Sequence, residues 1–347
     1  MSRSDRTLRP AVASADDLIS QGLAPAASRD VLARLEDEFR IRISPEMLGA
    51  MSPAIAAQFV PDAREAETGG IADPIGDDAH RVGRGLTHRY PDRVILHATQ
   101  TCEVYCRFCF RREKVGEEGT LPEADLQAAL DYLHATPAVR EVILTGGDPL
   151  VLSPRRLGDL MARLSAVPHL EVIRLHSRVP VVAPDRISPA LLAALEVPQA
   201  VWLVVHTNHA DELTPAACAA LRRLVSAGVP LLSQSVLLRG VNDDADTLEA
   251  LFRALIRNRV KPYYLHHCDL ARGAGHFRTT IAQGLQIMAA LRGRLSGTAL
   301  PAYVLDIPGG FGKVPLGPGY LEADGAGGWV VTDPQGGRHT YADPEGE

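Results

Sequence analysis

Residues 93–112 read RVILHATQTCEVYCRFCFRR, an apolar run followed directly by three cysteines. The apolar part is typical of a β-strand that is buried on both faces. Similar runs recur along the chain, at 141–147, 171–177, 200–207, 229–238, 260–267 and 302–308. Segments with helical periodicity lie between them, for example 121–136, 153–166, 214–228 and 244–258. This alternation predicts an α/β fold with a parallel sheet and helical crossovers.

Polar residues collect where the predicted strands end. They are Thr99, the turn Gly146-Gly147-Asp148, Ser177, His206, Gln234, Asp269 and Asp306. In a barrel of parallel strands the active site is built at the carboxyl ends of the strands, whereas an open sheet binds ligands near one switch point. Polar endings on nearly every strand therefore favour a full or partial TIM-like barrel.

Other segments flank the predicted barrel. Residues 1–85 are predicted to form a helical N-terminal extension, because 29–39 have amphipathic spacing and the segments 44–51 and 52–59 each begin with a Ser-Pro cap. The barrel is predicted over 86–310. Residues 311–347 form a glycine-rich lysine loop and a short tail, in which WVVT (329–332) suggests one strand.

Composition excludes several classes of protein. The 347 residues are 46% hydrophobic and 22% charged, which argues against a wholly disordered or membrane-embedded chain. The net charge of -6, without a basic stripe, argues against a nucleic-acid partner. No apolar run is long enough to cross a bilayer, and the N-terminus lacks the apolar core of a secretory signal. We therefore expect a cytoplasmic protein without a membrane partner.

Cys102, Cys106 and Cys109 follow the spacing C-x3-C-x2-C. Cysteine thiolates hold iron–sulfur clusters, and three of them leave one iron of a [4Fe-4S] cube open to chelate S-adenosylmethionine (SAM). Three alternatives remain open at this point. The cysteines could form a helical stripe in the core, bind zinc with His97 or His88 as a fourth ligand, or hold an electron-transfer cluster with Cys268.

Two further motifs follow predicted strands. LTGGDPL (144–150) places two glycines where backbone can approach a ligand, and Asp148 could accept a hydrogen bond from an ammonium group. In YVLDIPGGFGKVPLGPGYLE (303–322), Lys313 lies in a glycine-rich loop. A lysine amine can form a Schiff base with pyridoxal 5′-phosphate (PLP), although a surface lysine in a flexible loop is the commoner case.

Taken together, the motifs resemble the lysine 2,3-aminomutase family of radical SAM, PLP-dependent enzymes. The matching segments, in chain order, are 85–94, the cysteine triplet with Arg111-Arg112, 146–150, 233–243, 262–279 and 306–315. The resemblance implies a partial (β/α)6 barrel of the radical SAM type. It also implies an isomerase that moves the α-amino group of L-lysine to the β-carbon, through a PLP external aldimine and a 5′-deoxyadenosyl radical.

The resemblance also assigns residues. Lys313 matches the lysine that carries PLP, and the PLP phosphate is matched by Arg89 and Arg93. The three cysteines match the cluster ligands. The expected contacts to SAM are Gly146, Gly147, Asp148, His206 and Gln234. Arg111 matches the clamp for the substrate carboxylate, while Asp269 and Asp306 match the pair that binds the ε-ammonium. The alternative for Asp306 is a turn cap before Pro308.

Some features depart from the family pattern or leave choices open. No cysteine follows Cys268, so we expect no structural zinc of the clostridial kind, although a homodimer is still expected. An electron donor such as flavodoxin or ferredoxin is implied. The short chain is also typical of the aminomutases that serve elongation factor P, but that branch lacks the DIPGGFGK loop. Arginine remains open as a substrate, and the two aspartates count against glutamate. A non-catalytic relative is disfavoured by the complete set of motifs.

Overall fold

The computed structural model describes residues 10–67, 69–317, 319–325 and 328–341. The first nine residues, on which the expectation about a secretory signal rests, lie outside these ranges. Four short helices precede the sheet: α1 (Ala15–Ser20), α2 (Arg29–Glu38), α3 (Pro45–Gly49) and α4 (Pro53–Phe59). Ser44 and Ser52 cap α3 and α4 by accepting a backbone N–H, which confirms the two predicted Ser-Pro starts.

The central sheet has ten strands. They are β1 (Arg81–Gly83), β2 (Leu86–Tyr90), β3 (Arg93–Thr99), β4 (Glu141–Gly146), β5 (Val172–Ser177), β6 (Ala200–His206), β7 (Leu231–Leu237), β8 (Val260–His267), β9 (Ala302–Ile307) and β10 (Gly312–Pro315). Seven helices lie between the strands from β3 to β9. They are α5 (Glu123–His134), α6 (Pro154–Ser165), α7 (Val179–Val182), α8 (Pro189–Ala193), α9 (Pro215–Ser226), α10 (Ala245–Arg257) and α11 (Ile281–Leu291).

The strands pair in chain order. From β3 to β9 every neighbouring pair is parallel, whereas β1, β2 and β10 are antiparallel additions at the two edges. Six βα units therefore run from β3 to α11, and β9 follows them. Within the described part of the chain the two edge strands do not pair, so the barrel stays open. The predicted partial (β/α)6 barrel is confirmed.

Amphipathic helices cover the outside of the sheet. In α10, for example, Leu248, Leu251, Phe252 and Leu255 are fully buried, at the i, i+3, i+4 and i+7 spacing of one helical face. Apolar strand residues meet these helices, so one continuous core lies between sheet and helices. The opposite faces of the strands carry the polar side chains that point toward the barrel interior.

The C-terminal part forms a small separate sheet of β11 (Leu321–Ala323), β12 (Trp329–Thr332) and β13 (Arg338–Tyr341), which includes the strand expected at WVVT. The domain boundaries at residues 85 and 310 stay predictions, and the ten-stranded sheet continues across both. Across the ranges given above, no helix has both the length and the apolar composition to span a membrane.

Candidate active site

The loop after β3 carries the three cysteines in a series of turns, with no α-helix between residues 100 and 118. The alternative of a helical stripe of core cysteines is therefore wrong. Cys102, Cys106 and Cys109 are all half-buried. Thr101 ties the loop to β3 by donating its backbone N–H to Oγ1 of Thr99, and to the turn after β4 by accepting the backbone N–H of Asp148. The three thiols are thus brought together at the carboxyl ends of the first parallel strands.

The surroundings of the thiols fit a metal cluster. Burial raises the pKa of all three, to about 11 for Cys109, so as free side chains they stay protonated. Arg178 donates a hydrogen bond from Nη1 to the sulfur of Cys106 at 2.9 Å. The thiols would become thiolates when they bind a metal, and the cation beside Cys106 would stabilise that charge. Three thiolates fit a [4Fe-4S] cluster with one open iron.

The two histidines considered as zinc ligands are held elsewhere. Nδ1 of His88 lies 2.6 Å from the hydroxyl of Tyr132, and Nε2 of His97 lies 3.2 Å from Oγ1 of Thr87. Among the described residues, no three His, Cys, Asp or Glu side chains, the three cysteines included, are grouped to hold a single metal ion, whereas in a [4Fe-4S] cluster each thiolate would bind a different iron. Cys268 is buried in a small apolar cluster with Leu238 and other residues. The zinc alternative therefore has no support from either histidine.

The Gly-Gly-Asp turn packs directly on the cysteine loop. Gly146 has a φ of 107°, and a Cβ on Gly147 would lie 2.4 Å from the carbonyl oxygen of Thr101, so both positions require glycine. The carboxylate of Asp148 accepts four hydrogen bonds, from the backbone of Leu150, Arg178 and Val179 and from the hydroxyl of Ser177.

These four bonds fill the acceptor sites of a carboxylate. Asp148 therefore joins the end of β4 to the end of β5 in this structure. Both carboxylate oxygens of Asp148 accept hydrogen bonds from protein groups. The predicted contact of Asp148 with a SAM ammonium group stays a prediction.

Three uncharged side chains line the next part of the barrel interior. His206 ends β6 and is in register with Gln234 on β7, and the ring of His206 lies 5.5 Å from that of His176 on β5. Nε2 of both histidines is buried without a hydrogen-bond partner in the described structure. Burial and the charge of Arg178 lower the pKa of His206 to about 3, so it is neutral. These unpartnered groups fit a polar ligand, and the predicted SAM contacts of His206 and Gln234 stay predictions.

Lys313 lies in a pocket of acidic and histidine side chains. Its Nζ donates to Oδ2 of Asp306 at 2.6 Å and lies 3.4 Å from Nδ1 of His266, which is itself 3.1 Å from the same oxygen. Burial would raise the pKa of Asp306, but the hydrogen bond from His266 and the charge of Lys313 outweigh it and hold the pKa well below its usual range. Asp306 is thus ionised and pairs with Lys313; it does more than cap a turn.

Asp269 follows β8 at the same end of the barrel. Burial, together with the negative charge of Asp306, raises its pKa to about 7. No residue that the structure describes makes a hydrogen bond to its carboxylate. The two predicted aspartates are therefore close enough for the charge of Asp306 to raise the pKa of Asp269. The carboxylate of Asp269 is left to bind a ligand.

Two of the predicted arginines meet on one carboxylate that the sequence analysis did not select. Arg111 donates from Nε to Oδ2 of Asp77 at 2.8 Å, and Nη2 of Arg89 lies 3.3 Å from Oδ1 of Asp77 and 2.5 Å from the carbonyl oxygen of Ile75. Burial opposes ionisation of Asp77, yet the charge of Arg111 and that of Arg89 lower its pKa. Nε of Arg89 is buried and unpartnered in the described structure. Arg89 and Arg111 thus form one cationic site.

Arg93 lies apart from this site. Its guanidinium pairs with Asp92 at 2.7 Å and stacks 3.9 Å from the ring centre of Tyr90. The hydroxyl of Tyr90 in turn accepts the backbone N–H of Lys313. The structure connects Arg93 to the lysine loop through Tyr90, and its predicted contact with the PLP phosphate stays a prediction.

Sequence reasoning missed three residues around the site: His176, Arg178 and Asp77. A signal existed for His176, because the alternation in VIRLHS puts it on the interior face of β5 with Arg174. Asp77 lies in an irregular turn-rich segment, where no periodicity indicates which way a side chain points.

Comparison with known proteins gives the family. A family model described as the radical SAM superfamily matches residues 96–251, and one described as lysine-2,3-aminomutase matches 288–347. L-lysine 2,3-aminomutase of Clostridium subterminale is 40% identical over 90% of this chain and 77% of its own length. The same-named protein of Fusobacterium nucleatum is 44% identical over 79% of this chain, which spans 65% of that relative. Glutamate 2,3-aminomutase of Clostridioides difficile is 36% identical over 86% and 72% of the two chains. The chain belongs to the lysine 2,3-aminomutase family of the radical SAM superfamily.

Proposed function

We propose that this protein moves the α-amino group of L-lysine to its β-carbon. One observation carries the proposal: Asp306 already binds a lysine ε-ammonium, because Nζ of Lys313 lies 2.6 Å from its carboxylate. With Lys313 committed to PLP, its nitrogen would no longer be a free ammonium on Asp306, and the carboxylates of Asp306 and Asp269 would be open to the ammonium of a substrate. Because Asp306 is ionised, the pocket selects a substrate with a cationic side chain.

The opposite end of the substrate needs a cationic clamp. Arg111 supplies one, and its guanidinium group converges on a single carboxylate, Asp77, with that of Arg89, which we propose for the PLP phosphate. Two cations beside one anion leave a net positive charge, which suits a carboxylate or a phosphate. An amino acid with a cationic tail thus finds complementary charge at both ends.

The three cofactors fit residues of this chain. Cys102, Cys106 and Cys109 would hold the [4Fe-4S] cluster, and the unpartnered His206 and His176 face the space proposed for SAM. Lys313 would hold PLP. When bound, the cluster and SAM supply radical chemistry, and PLP supplies a carbonyl group that accepts an amine and withdraws electrons.

The protein contributes binding, orientation and exclusion of water. Asp306 and Asp269 fix the tail of the substrate and Arg111 fixes its carboxylate, so the α- and β-carbons between them are held in one place. The barrel interior is lined by side chains whose polar atoms are buried, His176, His206 and His266, which shields a reactive species from solvent.

The pocket separates the candidate substrates by charge. Glutamate would place a carboxylate beside ionised Asp306 and is disfavoured, even though one relative carries the name of a glutamate aminomutase. Arginine is the second candidate, because a guanidinium also pairs with carboxylates. Synthesis of β-lysine for elongation factor P is an alternative use of the same reaction.

The proposal includes the cellular context. We propose a cytoplasmic enzyme, since free thiols and a cluster persist where the environment is reducing. A small redox protein such as flavodoxin or ferredoxin would donate the electron, and the enzyme would work as a homodimer.

The proposal is tested by anaerobic reconstitution with iron, sulfide and PLP, followed by dithionite, SAM and L-lysine, with β-lysine measured by mass spectrometry. L-arginine and L-glutamate are assayed in parallel. We expect β-lysine from the wild type and none from Lys313→Ala or Cys106→Ala. Lys114→Ala is the matched control, because among the described residues this half-exposed lysine forms an ion pair only with Asp78. SAM cleavage without any β-lysine would overturn lysine as the substrate.

A further inference from the structure

His266 on β8 has only lined the barrel interior in the proposal so far, yet it touches the two central groups of the lysine pocket. Only 5% of its surface is exposed. Nδ1 lies 3.1 Å from Oδ2 of Asp306 and 3.4 Å from Nζ of Lys313. The imidazole is therefore in contact with the nitrogen that would bind PLP.

Of the two contacts of Nδ1, the shorter one, to Asp306 at 3.1 Å, assigns the tautomer of the ring. An ionised carboxylate can only accept hydrogen bonds, so Nδ1 of His266 carries the hydrogen and donates it. Nε2 is then left with a lone pair. Burial and the charge of Lys313 lower the pKa of His266, against the opposing effect of Asp306, so the ring is neutral and the lone pair is free.

Nε2 of His266 is buried and has no hydrogen-bond partner among the described residues. An acceptor in that state is costly and uncommon, which points to a donor that arrives with the ligand. A carboxylate that orients an imidazole and leaves its other nitrogen with a free lone pair is the arrangement of a general base.

We infer that His266 is a catalytic base that relays protons during amine exchange at Lys313. The inference rests on the proposed function. Substrate enters with an α-ammonium, which must lose a proton before its nitrogen can replace that of Lys313 on the cofactor. The N–H bond breaks, its electron pair stays on the substrate nitrogen, and a new N–H bond forms at Nε2.

Over one turnover, every proton that a group releases is taken up by another group. The imidazolium gives its Nδ1 proton to the amine nitrogen of Lys313 as that nitrogen is released, which leaves Lys313 as an ammonium. When Lys313 later displaces the product, its nitrogen returns a proton to Nδ1 and the product amine takes the one on Nε2. No electrons are gained or lost, and no further reactant is needed.

The neighbouring histidine gives a matched control. His267 is equally buried, but its Nδ1 lies 2.8 Å from the hydroxyl of Tyr303, and it makes no contact with Lys313 or Asp306. His267→Gln changes a buried histidine on the same strand without touching the lysine pocket. His266→Asn keeps a donor near the position of Nδ1 and removes the base at Nε2.

The experiment follows amine exchange without turnover. Protein loaded with PLP, in the absence of SAM and reductant, is mixed with L-lysine, and the change in cofactor absorbance is recorded by stopped flow. We expect His266→Asn to slow the exchange by about 100-fold or more, with partial rescue by added imidazole, and His267→Gln to stay within about twofold of the wild type. Equal rates in His266→Asn and His267→Gln would overturn the inference.

A second readout needs no cofactor. Nitrogen-15 correlation spectra of the cofactor-free protein, with the His266 signal identified from its loss in His266→Asn, should show a ring protonated at Nδ1. A ring protonated only at Nε2 would overturn the inference. If PLP forms no bond with Lys313 even in the wild type, the proposed function itself fails, so the two failures are distinguishable.

Discussion

The guanidinium of Arg178 donates to the sulfur of Cys106 at 2.9 Å, and the same side chain binds Glu212 and Gln58 at 2.6 Å each. Arg178 comes from the residue after β5, Glu212 from the loop after β6, and Gln58 from α4. One buried cation therefore ties the N-terminal helices and two strand ends to the cysteine loop.

Removal of this cation should be costly. Arg178→Met leaves Glu212, which is fully buried, without its charged partner, and we expect a loss of about 3–5 kcal/mol in the free energy of unfolding. Urea denaturation measures it. The double variant Arg178→Met/Glu212→Gln should recover part of the loss. Arg253→Met breaks a half-exposed ion pair with Glu249 and should cost at most about 1 kcal/mol. A loss for Arg178→Met as small as that control would contradict the prediction.

A second buried network predicts a pH dependence. Glu65 accepts hydrogen bonds from Arg107 and Arg112; burial opposes its ionisation, but the two guanidinium groups lower its pKa below the usual 4.5. A lowered pKa in the folded state means that the stabilisation is fully present above about pH 4.5 and is lost as the pH falls through the folded-state value.

Glu65→Gln should therefore lower the urea concentration at the midpoint of unfolding at pH 7. This midpoint should also fall less steeply than that of the wild type between about pH 5 and pH 3. The matched control is Glu171→Gln, which removes an exposed partner of Arg140 and should leave both the midpoint and the slope unchanged. A decline in Glu65→Gln as steep as in the wild type would show that other carboxylates cause it.

The contact between the Gly-Gly-Asp turn and the cysteine loop makes a steric prediction. Gly147→Ala would place a Cβ 2.4 Å from the Thr101 carbonyl oxygen, so the loop must move away from the turn. We expect the variant to bind less iron on reconstitution and to melt at a lower temperature. In Gly158→Ala, on α6, the added Cβ meets only Ala194 at 3.6 Å, and we expect unchanged iron binding and a gain of up to about 1 kcal/mol. Full iron binding in Gly147→Ala would refute the prediction.

The raised pKa of Asp269 predicts how lysine binding varies with pH. The carboxylate binds an ammonium only when ionised, and its pKa in the ligand-free site is about 7, because of burial and the charge of Asp306. Lysine affinity of the PLP-loaded protein, measured by calorimetry, should therefore fall as the pH drops below 7, by up to about tenfold per unit.

Asp269→Asn should bind lysine more weakly and lose this pH dependence, since its amide does not titrate. Asp131→Asn, on the surface of α5, serves as the control and should match the wild type. Proton uptake on lysine binding at pH 6, instead of proton release, would argue that Asp269 does not bind the ammonium.

The sequence by itself determined the fold class and the identities of most candidate groups. Apolar runs such as 93–99 and 141–146 become parallel strands because only burial on both faces suits them, and the polar residue that ends each run then lies at the carboxyl edge of the sheet. The spacing of Cys102, Cys106 and Cys109 indicated a cluster before any geometry was known.

Only the tertiary structure decided how these groups are paired. Asp77 comes from an irregular segment, yet it lies between Arg89 and Arg111. The carboxylate of Asp148 accepts all its hydrogen bonds from groups within the protein. His266 and Lys313 are 47 residues apart, and their contact depends on the packing of β8, β9 and β10. Local patterns reflect burial and backbone preference, whereas partners at long range are set by how strands and loops converge, which no short stretch of sequence encodes.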